Sequence, residues 1–378
     1  MEPIQLVDLR RQYERIREDV EPAIARVIAT TAFIKGPDVE SFERELAAYT
    51  GAPAVVGCAN GTDALQICLM ALGLEPGDEV ITPDFTYFAT AEVIALLRLT
   101  PVLVDVDPRT FTIDPREVER AISPKTRAIL PVHLYGQCAD MAPLLALAKR
   151  HGVAIVEDAA QAIGASYTFP DGTTKQAGTM GTLGATSFFP SKNLGCFGDG
   201  GAIFVNDDSL THRVRMIANH GQSSKYVHDL VGINSRLDTL QAAVLRVKLR
   251  QLDAYATARN DLATAYDGAF SDLTDVLVPQ RSATSSHVFH QYTLLCDAKR
   301  RDAIAAGLKA RGVPTAVYYP APIHAQKAFA QFGPGRDCPV STELCTRALS
   351  LPMHTEMDAE QVEHITRSVR EVAHATSL

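Results

Sequence analysis

Apolar positions recur along the chain in two rhythms. Residues 12–29 and 38–49 carry them at helical spacing, and Gly36-Pro37-Asp38 opens the second helix. From Ala54 the rhythm changes. Short apolar runs at 54–58, 79–82, 102–106, 127–132 and 153–157 alternate with helical stretches at 62–72, 86–98, 114–122 and 141–150. Strand, helix, strand at this spacing predicts a mostly parallel sheet covered by helices on both faces. Two more strands, 184–189 and 201–205, follow without a full helix between them. The turn Gly198-Asp-Gly-Gly201 suits a tight reversal, which predicts an antiparallel strand at one edge.

Residues 236–270 read as one long helix with apolar positions at Leu237, Leu240, Val244, Val247 and Leu252. It bridges a large domain to a smaller one. After Pro279 and the Ser/Thr-rich run 282–286 a second α/β pattern begins, with strands near 289–296 and 315–319 and helices near 300–311, 340–348 and 358–373. The expected division is 1–250 for the large domain and 251–378 for a small C-terminal α/β domain.

The length of 378 residues accommodates both. A net charge of −8 leaves no global basic field for nucleic acid or an anionic membrane. A phosphate-bearing ligand must then be held by local amides, hydroxyls and a few cations. Seven scattered cysteines, an odd number without Cys-x-x-Cys spacing, point to reduced, mostly buried thiols and no metal site. Met1-Glu-Pro-Ile-Gln5 lacks signal-peptide features and no apolar run reaches bilayer length, so a cytoplasmic protein is expected.

The candidate chemistry gathers around Lys192, in Ser187-Phe-Phe-Pro-Ser-Lys192. Upstream, an apolar strand ends in Glu157 and Asp158, with Gln161 three residues after Asp158. A carboxylate at a strand's end can hold a pyridinium nitrogen, and a nearby lysine can bond covalently to the aldehyde of the same ring. The plainer readings are a solvated loop lysine and a helix-capping Asp. At Asn60-Gly-Thr62 a helix begins after the first strand, so free N–H groups and a hydroxyl converge there as a phosphate cradle or, more simply, as an N-cap. Phe85 or Tyr87 lies where the second strand gives way to a helix, placed to stack on a flat ring or to pack in the core. Ser187, five positions before Lys192, is an ordinary strand serine or a phosphate ligand.

Taken in order, Asn60-Gly-Thr-Asp-Ala-Leu65, Glu157-Asp-Ala-Ala-Gln161, Ser187-Phe-Phe-Pro-Ser-Lys192, Gly198-Asp-Gly-Gly201 and Asn234-Ser-Arg-Leu-Asp238 resemble the DegT/DnrJ/EryC1/StrS nucleotide-sugar aminotransferases, over residues 4–351. The resemblance implies a fold-type-I, pyridoxal 5′-phosphate (PLP) dependent α/β fold that passes through the pyridoxamine form in turnover. It makes Lys192 the Schiff-base lysine, Asp158 the pyridinium partner and Gln161 the neighbour of the ring hydroxyl. Gly61, Thr62 and Ser187 match the phosphate ligands, and Tyr87 the stacking aromatic. Asn234 matches a phosphate ligand given by a second subunit, which implies a homodimer with shared sites. Arg236, Tyr318 and His324 fall near the sugar. Residues 58–66, 134–140 and 231–241 most resemble enzymes that aminate C3 of UDP-2-acetamido-2-deoxy-3-oxo-glucuronate with L-glutamate as donor, in bacterial surface polysaccharide (O-antigen) synthesis. One departure is Tyr318, where relatives usually carry His.

Three other readings compete. A C3 or C4 aminotransferase of a dTDP- or UDP-linked 6-deoxy-ketohexose shares every motif. A sugar 3-dehydratase of the same fold has His in place of the lysine, which Lys192 opposes. A non-catalytic regulatory protein on this scaffold would not need Lys192 and Asp158 together.

Overall fold

The computed structural model describes residues 2–333 and 335–375. Helices α1 (Leu9–Thr30) and α2 (Pro37–Thr50) precede strand β1 (Ala54–Cys58). The alternating region runs α3 (Gly61–Ala71), β2 (Glu79–Pro83), α4 (Phe88–Leu96), β3 (Thr100–Val104), α5 (Pro115–Ala121), β4 (Thr126–Ile129), α6 (Met141–His151) and β5 (Ala154–Asp158). A hairpin of β6 (Ser166–Thr168) and β7 (Thr174–Gln176) leads to β8 (Leu183–Ser187) and β9 (Gly201–Val205). The strands between helices are apolar on both sides, as burial on both faces requires.

The main sheet has the order β1-β9-β8-β5-β4-β2-β3. Only β9 runs against its neighbours, pairing antiparallel with both β1 and β8. The antiparallel strand expected at an edge therefore lies one place inside it. The 198–201 turn does reverse the chain beside β8, but β1, formed first in sequence, covers the far side of β9. This arrangement brings the carboxyl ends of β1, β2, β5 and β8 to one rim, where ligands of open α/β sheets bind.

After β9 come α7 (Thr211–Ile217), a hairpin of β10 (Gln222–Ser224) and β11 (Val227–His228), then α8 (Thr239–Leu249) and α9 (Leu252–Phe270). The single helix expected over 236–270 is thus two. It starts later because the preceding segment is extended: Asn234 bridges Asn219, Asp238 bridges Ile34, and Ser235 Oγ accepts the Ala59 N–H. It breaks where the Gln251 N–H turns to the Lys248 carbonyl, three residues back, and φ of Gln251 opens to −101°.

A second core forms beyond α9. Strands β12 (Val276–Leu277), β13 (Tyr292–Cys296) and β14 (Ala348–Leu351) make an antiparallel sheet with α10 (Arg301–Ala310), α11 (Pro339–Arg347) and α12 (Ala359–Ala375) around it. Tyr266, Phe270, Tyr292, Leu349 and Ile365 fill this core, and Ile4 from the start of the chain joins them. The strand expected at 315–319 is reduced to one bridge, Ala316 to Ser350. Pro314 and Pro320 flank it and offer no N–H to a ladder. The third strand is instead β14, at the end of the expected helix 340–348. Helix α9 belongs to both cores, with Leu252 packed against the main one and Leu262 to Phe270 against the second. The last three residues of the expected small domain lie outside the described residues. Among the described residues, no helix is long and apolar enough to cross a membrane, and all seven cysteines are buried free thiols.

The end of β5 is anchored from below. Glu157 is fully buried and accepts N–H bonds from Gly178 (2.9 Å), Met180 (2.6 Å) and Gly181 (2.5 Å). It also meets His133 Nε2 at 2.8 Å. Because His133 Nδ1 accepts the Ala139 N–H, the ring proton sits on Nε2 and is donated to Glu157. Replacing Glu157 by Leu leaves three backbone donors and one imidazole unpaired in a dry site. The expected cost is on the order of 3–5 kcal/mol, read as a fall in the urea midpoint at unchanged slope. A midpoint within error of the parent would contradict this anchoring.

Candidate active site

At the rim, α3 begins where β1 ends. Asn60 Oδ1 accepts the Asp63 N–H at 2.8 Å, which caps the helix. That bond leaves the N–H groups of Gly61 and Thr62 without a protein acceptor among the described residues. The end of β8 presses against this turn. A Cβ on Gly61 would lie 2.6 Å from Ser187 Cβ, and one on Gly201 would lie 2.5 Å from the Asn60 carbonyl carbon. Only glycine at both positions lets β8, β9 and the start of α3 converge. Two free amides, the Thr62 side chain and the Ser187 hydroxyl then surround a space suited to an oxyanion at a helix N-terminus.

Asp158 ends β5 with its carboxylate facing the rim. Oδ2 accepts from the Thr90 hydroxyl at 2.9 Å and Oδ1 from the Ala160 N–H at 3.1 Å. Burial raises its pKa, opposed by the Ala160 N–H, the Thr90 hydroxyl and the charge of Lys192. Lys192 projects from the loop after β8, held by its own N–H to the Phe189 carbonyl at 2.8 Å. The residue is partly exposed, but the protein around its amine lowers the pKa to about 8 by desolvation, against the pull of Asp158. Lys192 makes no ion pair among the described residues, so the amine and the Asp158 carboxylate attract each other across a gap.

A second wall is aromatic. Gln161 Oε1 accepts the Tyr135 N–H at 2.7 Å, and its Nε2 donates to the Tyr319 hydroxyl at 3.0 Å. The Tyr319 ring stands 6.2 Å from Tyr87 and 6.0 Å from Phe85. Phe85 is fully buried, whereas Tyr87, at the start of α4, is 60% exposed and presents an open ring face. Thr90 and Tyr319 escape the sequence reading. Thr90 sits one turn into a helix, and Tyr319 comes from the second core. Only the neighbouring Val317-Tyr-Tyr-Pro320 pattern signals Tyr319.

Lys192, Asp158, Gln161, Gly61, Thr62, Ser187 and Tyr87 thus gather on one rim. Tyr318 is half-buried, its carbonyl takes the Tyr135 hydroxyl, and its ring is 6.0 Å from Tyr319. His324 packs outside the Tyr87 loop, donating its N–H to Asp84 Oδ1 at 2.8 Å and holding Asp84 Oδ2 through Nδ1 at 2.6 Å. Asn234 and Arg236 do not join the rim of their own chain. Asn234 is exposed, and Arg236 lines a separate cavity of about 430 Å³ with Lys35, Glu43 and Arg215.

An anion cradle, a partly neutral lysine and a buried carboxylate across a gap fit one group with a phosphate, an aldehyde and a protonated ring nitrogen. Comparison with known proteins agrees. Residues 14–370 match the model of the DegT/DnrJ/EryC1/StrS aminotransferase family. The chain is 47% identical over 362 residues to the UDP-2-acetamido-2-deoxy-3-oxo-D-glucuronate aminotransferase of Pseudomonas aeruginosa, covering 96% of this chain and 98% of that one. It is 46% identical over 373 residues to a pleiotropic regulatory protein of Geobacillus stearothermophilus, covering 97% and 98%. Among solved structures, DesV of S. venezuelae is similar with a TM-score of 0.93 and 42% identity, over 99% of both chains. The chain therefore belongs to the DegT/DnrJ/EryC1/StrS aminotransferase family, whose cofactor is pyridoxal 5′-phosphate.

Proposed function

We propose that this protein is a cytoplasmic homodimer that transfers the amino group of L-glutamate to C3 of UDP-2-acetamido-2-deoxy-3-oxo-D-glucuronate, for surface polysaccharide synthesis. The observation that carries the chemistry is Lys192 and Asp158 facing each other across a gap beside an anion cradle. When bound, the cofactor supplies an electron sink for the carbanion that amino transfer requires. Gly61 and Thr62 bind the phosphate through their N–H groups, and Ser187 through its hydroxyl. Asp158, fixed by Thr90 and Ala160, would hold the proton on the ring nitrogen. Gln161 would stand beside the ring hydroxyl, and Tyr87 would stack on the ring. Lys192 Nζ would be placed to take the proton from the amino-bearing carbon and to return it.

Shared sites account for residues that lie away from the rim of their own chain. The hairpin and the segment after it leave Tyr226 82% and Val231 88% exposed, positions that a second subunit would cover. Asn234 then reaches the phosphate bound by the second subunit, and Arg236 faces its sugar. A guanidinium there pairs with a uronate carboxylate in bidentate fashion. Tyr318 and His324 complete the sugar side. Tyr318 also favours a second reading, a dTDP- or UDP-linked 6-deoxy-ketohexose aminated at C3 or C4, because a phenol in place of an imidazole suits a neutral sugar.

Three outcomes are expected. With the Lys192 amine at about 8, covalent capture of PLP by apoprotein should speed up as pH rises, half-maximal near 8, because only the neutral amine attacks. Lys192→Ala should bind PLP without that step and lose turnover, and its L-glutamate-dependent absorbance change should disappear. Sustained turnover in this variant would remove Lys192 from the mechanism.

Mixing Lys192→Ala with Asn234→Ala protein should regenerate one intact site per heterodimer, seen as activity absent from either parent. Sedimentation of a fully active monomer would defeat the shared-site reading.

Assayed on UDP- and dTDP-ketosugars, the protein should prefer the uronate over a 6-deoxy sugar. Arg236→Ala should reduce that preference on the order of 10–100-fold, the worth of one charge-assisted pair. Equal rates on both sugars in the parent would leave an aminotransferase with the 6-deoxy specificity instead.

A further inference from the structure

His290 is a buried histidine at the seam of the two cores, two residues before β13, and nothing in the proposed chemistry uses it. Its Nδ1 lies 3.2 Å from Oδ1 of Asn193, the residue after Lys192. The Asn193 amide is oriented independently, since its Nδ2 donates to the Val288 carbonyl at 2.9 Å. Oδ1 is therefore the acceptor, and His290 Nδ1 carries the proton it donates.

Residues 287–291 are themselves fixed on several sides. The Val288 N–H reaches the Gly136 carbonyl at 2.8 Å, and the Gln291 N–H reaches the Tyr135 carbonyl at 3.3 Å. Asn260 Nδ2 holds the His287 carbonyl at 2.8 Å. From α9, the buried Arg259 gives Nη1 to the Phe289 carbonyl at 2.9 Å and to the Met353 carbonyl at 3.0 Å. One short segment therefore touches both the lysine loop, through Asn193, and the Gln161 wall, through Tyr135.

We propose that His290 is a positioning residue for Lys192: its Nδ1–H holds the Asn193 side chain, and through it the lysine, at a fixed place relative to Gln161 and Asp158. The proposal rests on Lys192 being the cofactor lysine. His290 suits the task because it stays neutral. Burial, with the charges of Lys192 and Arg259, holds its pKa well below the ordinary value, so it adds no positive charge beside the amine. The charged groups that act on Lys192 and His290 are Asp158 and Arg259. A lysine or arginine at 290 would donate the same hydrogen bond and bring a cation with it.

The test reads Lys192 directly in apoprotein. Amine-selective labelling is followed across pH, with Lys192 identified by mass spectrometry. The parent midpoint should fall near 8. In His290→Leu the Asn193 oxygen loses its donor and the loop turns to find water. Hydration should raise the Lys192 midpoint by about one pH unit or more. In the PLP-loaded protein, the titration of the lysine-bound absorbance band should shift as well, and kcat should fall about tenfold with little change in KM for L-glutamate. His290→Asn places an amide N–H where Nδ1–H stood and should restore both midpoints.

Asn193→Ser removes the acceptor from the other side, and should move the midpoint the same way even if His290→Leu does not fold. A parent-like midpoint in His290→Leu or Asn193→Ser, with only thermal stability lost, would make His290 a core residue and overturn the proposal. Failure of His290→Asn to restore what His290→Leu loses would also overturn it. In either case capture of PLP by the parent would stand unchanged, so the aminotransferase reading is judged separately.

Discussion

The site depends on two adjacent carboxylates at the end of one buried strand. Neighbours on a strand point to opposite faces, so Glu157 and Asp158 look away from each other, and neither sits in water. Each needs donors supplied by the fold. Glu157 takes three backbone N–H groups from the 178–181 loop and the ring N–H of His133, which ties both to the end of β5. Asp158 takes a hydroxyl and one N–H and keeps the remaining acceptor capacity for a ligand. The asymmetry divides the work. One carboxylate is satisfied by the protein and holds structure, and the other is left with room for a further donor.

The same division runs through the rest of the pocket. The first turn of α3 spends its cap on Asp63 and leaves two amides open. Gln161, by contrast, is used on both ends by Tyr135 and Tyr319, so its position is fixed from the main sheet and from the second core at once. Rigid partners on one side and unmet donors on the other are how a fold prepares a site for a ligand it does not itself contain.

Much of this is legible in the sequence, for a physical reason. Apolar runs between helices define the parallel strands, and the residues just past them fall on the carboxyl rim, so Gly61, Asp158, Ser187 and Tyr87 are placed by local pattern alone. What escapes is set by distance. Whether β9 is an edge strand depends on β1, about 145 residues away. The break near Gln251 carries no Gly or Pro to announce it, because packing against two cores bends a segment whose local preference is helical. Thr90, Tyr319 and His290 read as ordinary residues until the fold sets them against Asp158, Gln161 and Asn193. Arg236 and Asn234 are tied to the site only by family resemblance, since their own chain gives them nothing on the rim to touch.

The seven buried thiols carry a separate consequence. Cys68 lies in the main core and Cys296 in the second, and burial raises both, Cys296 to about 12. A thiolate hardly forms in the closed protein, so a thiol reagent reacts only when the surrounding structure opens. The cysteines are therefore resident reporters of breathing, distributed across the two cores. Their relative labelling rates distinguish a molecule that opens as one cooperative unit from one whose small lobe loosens first, without any cysteine having to be introduced.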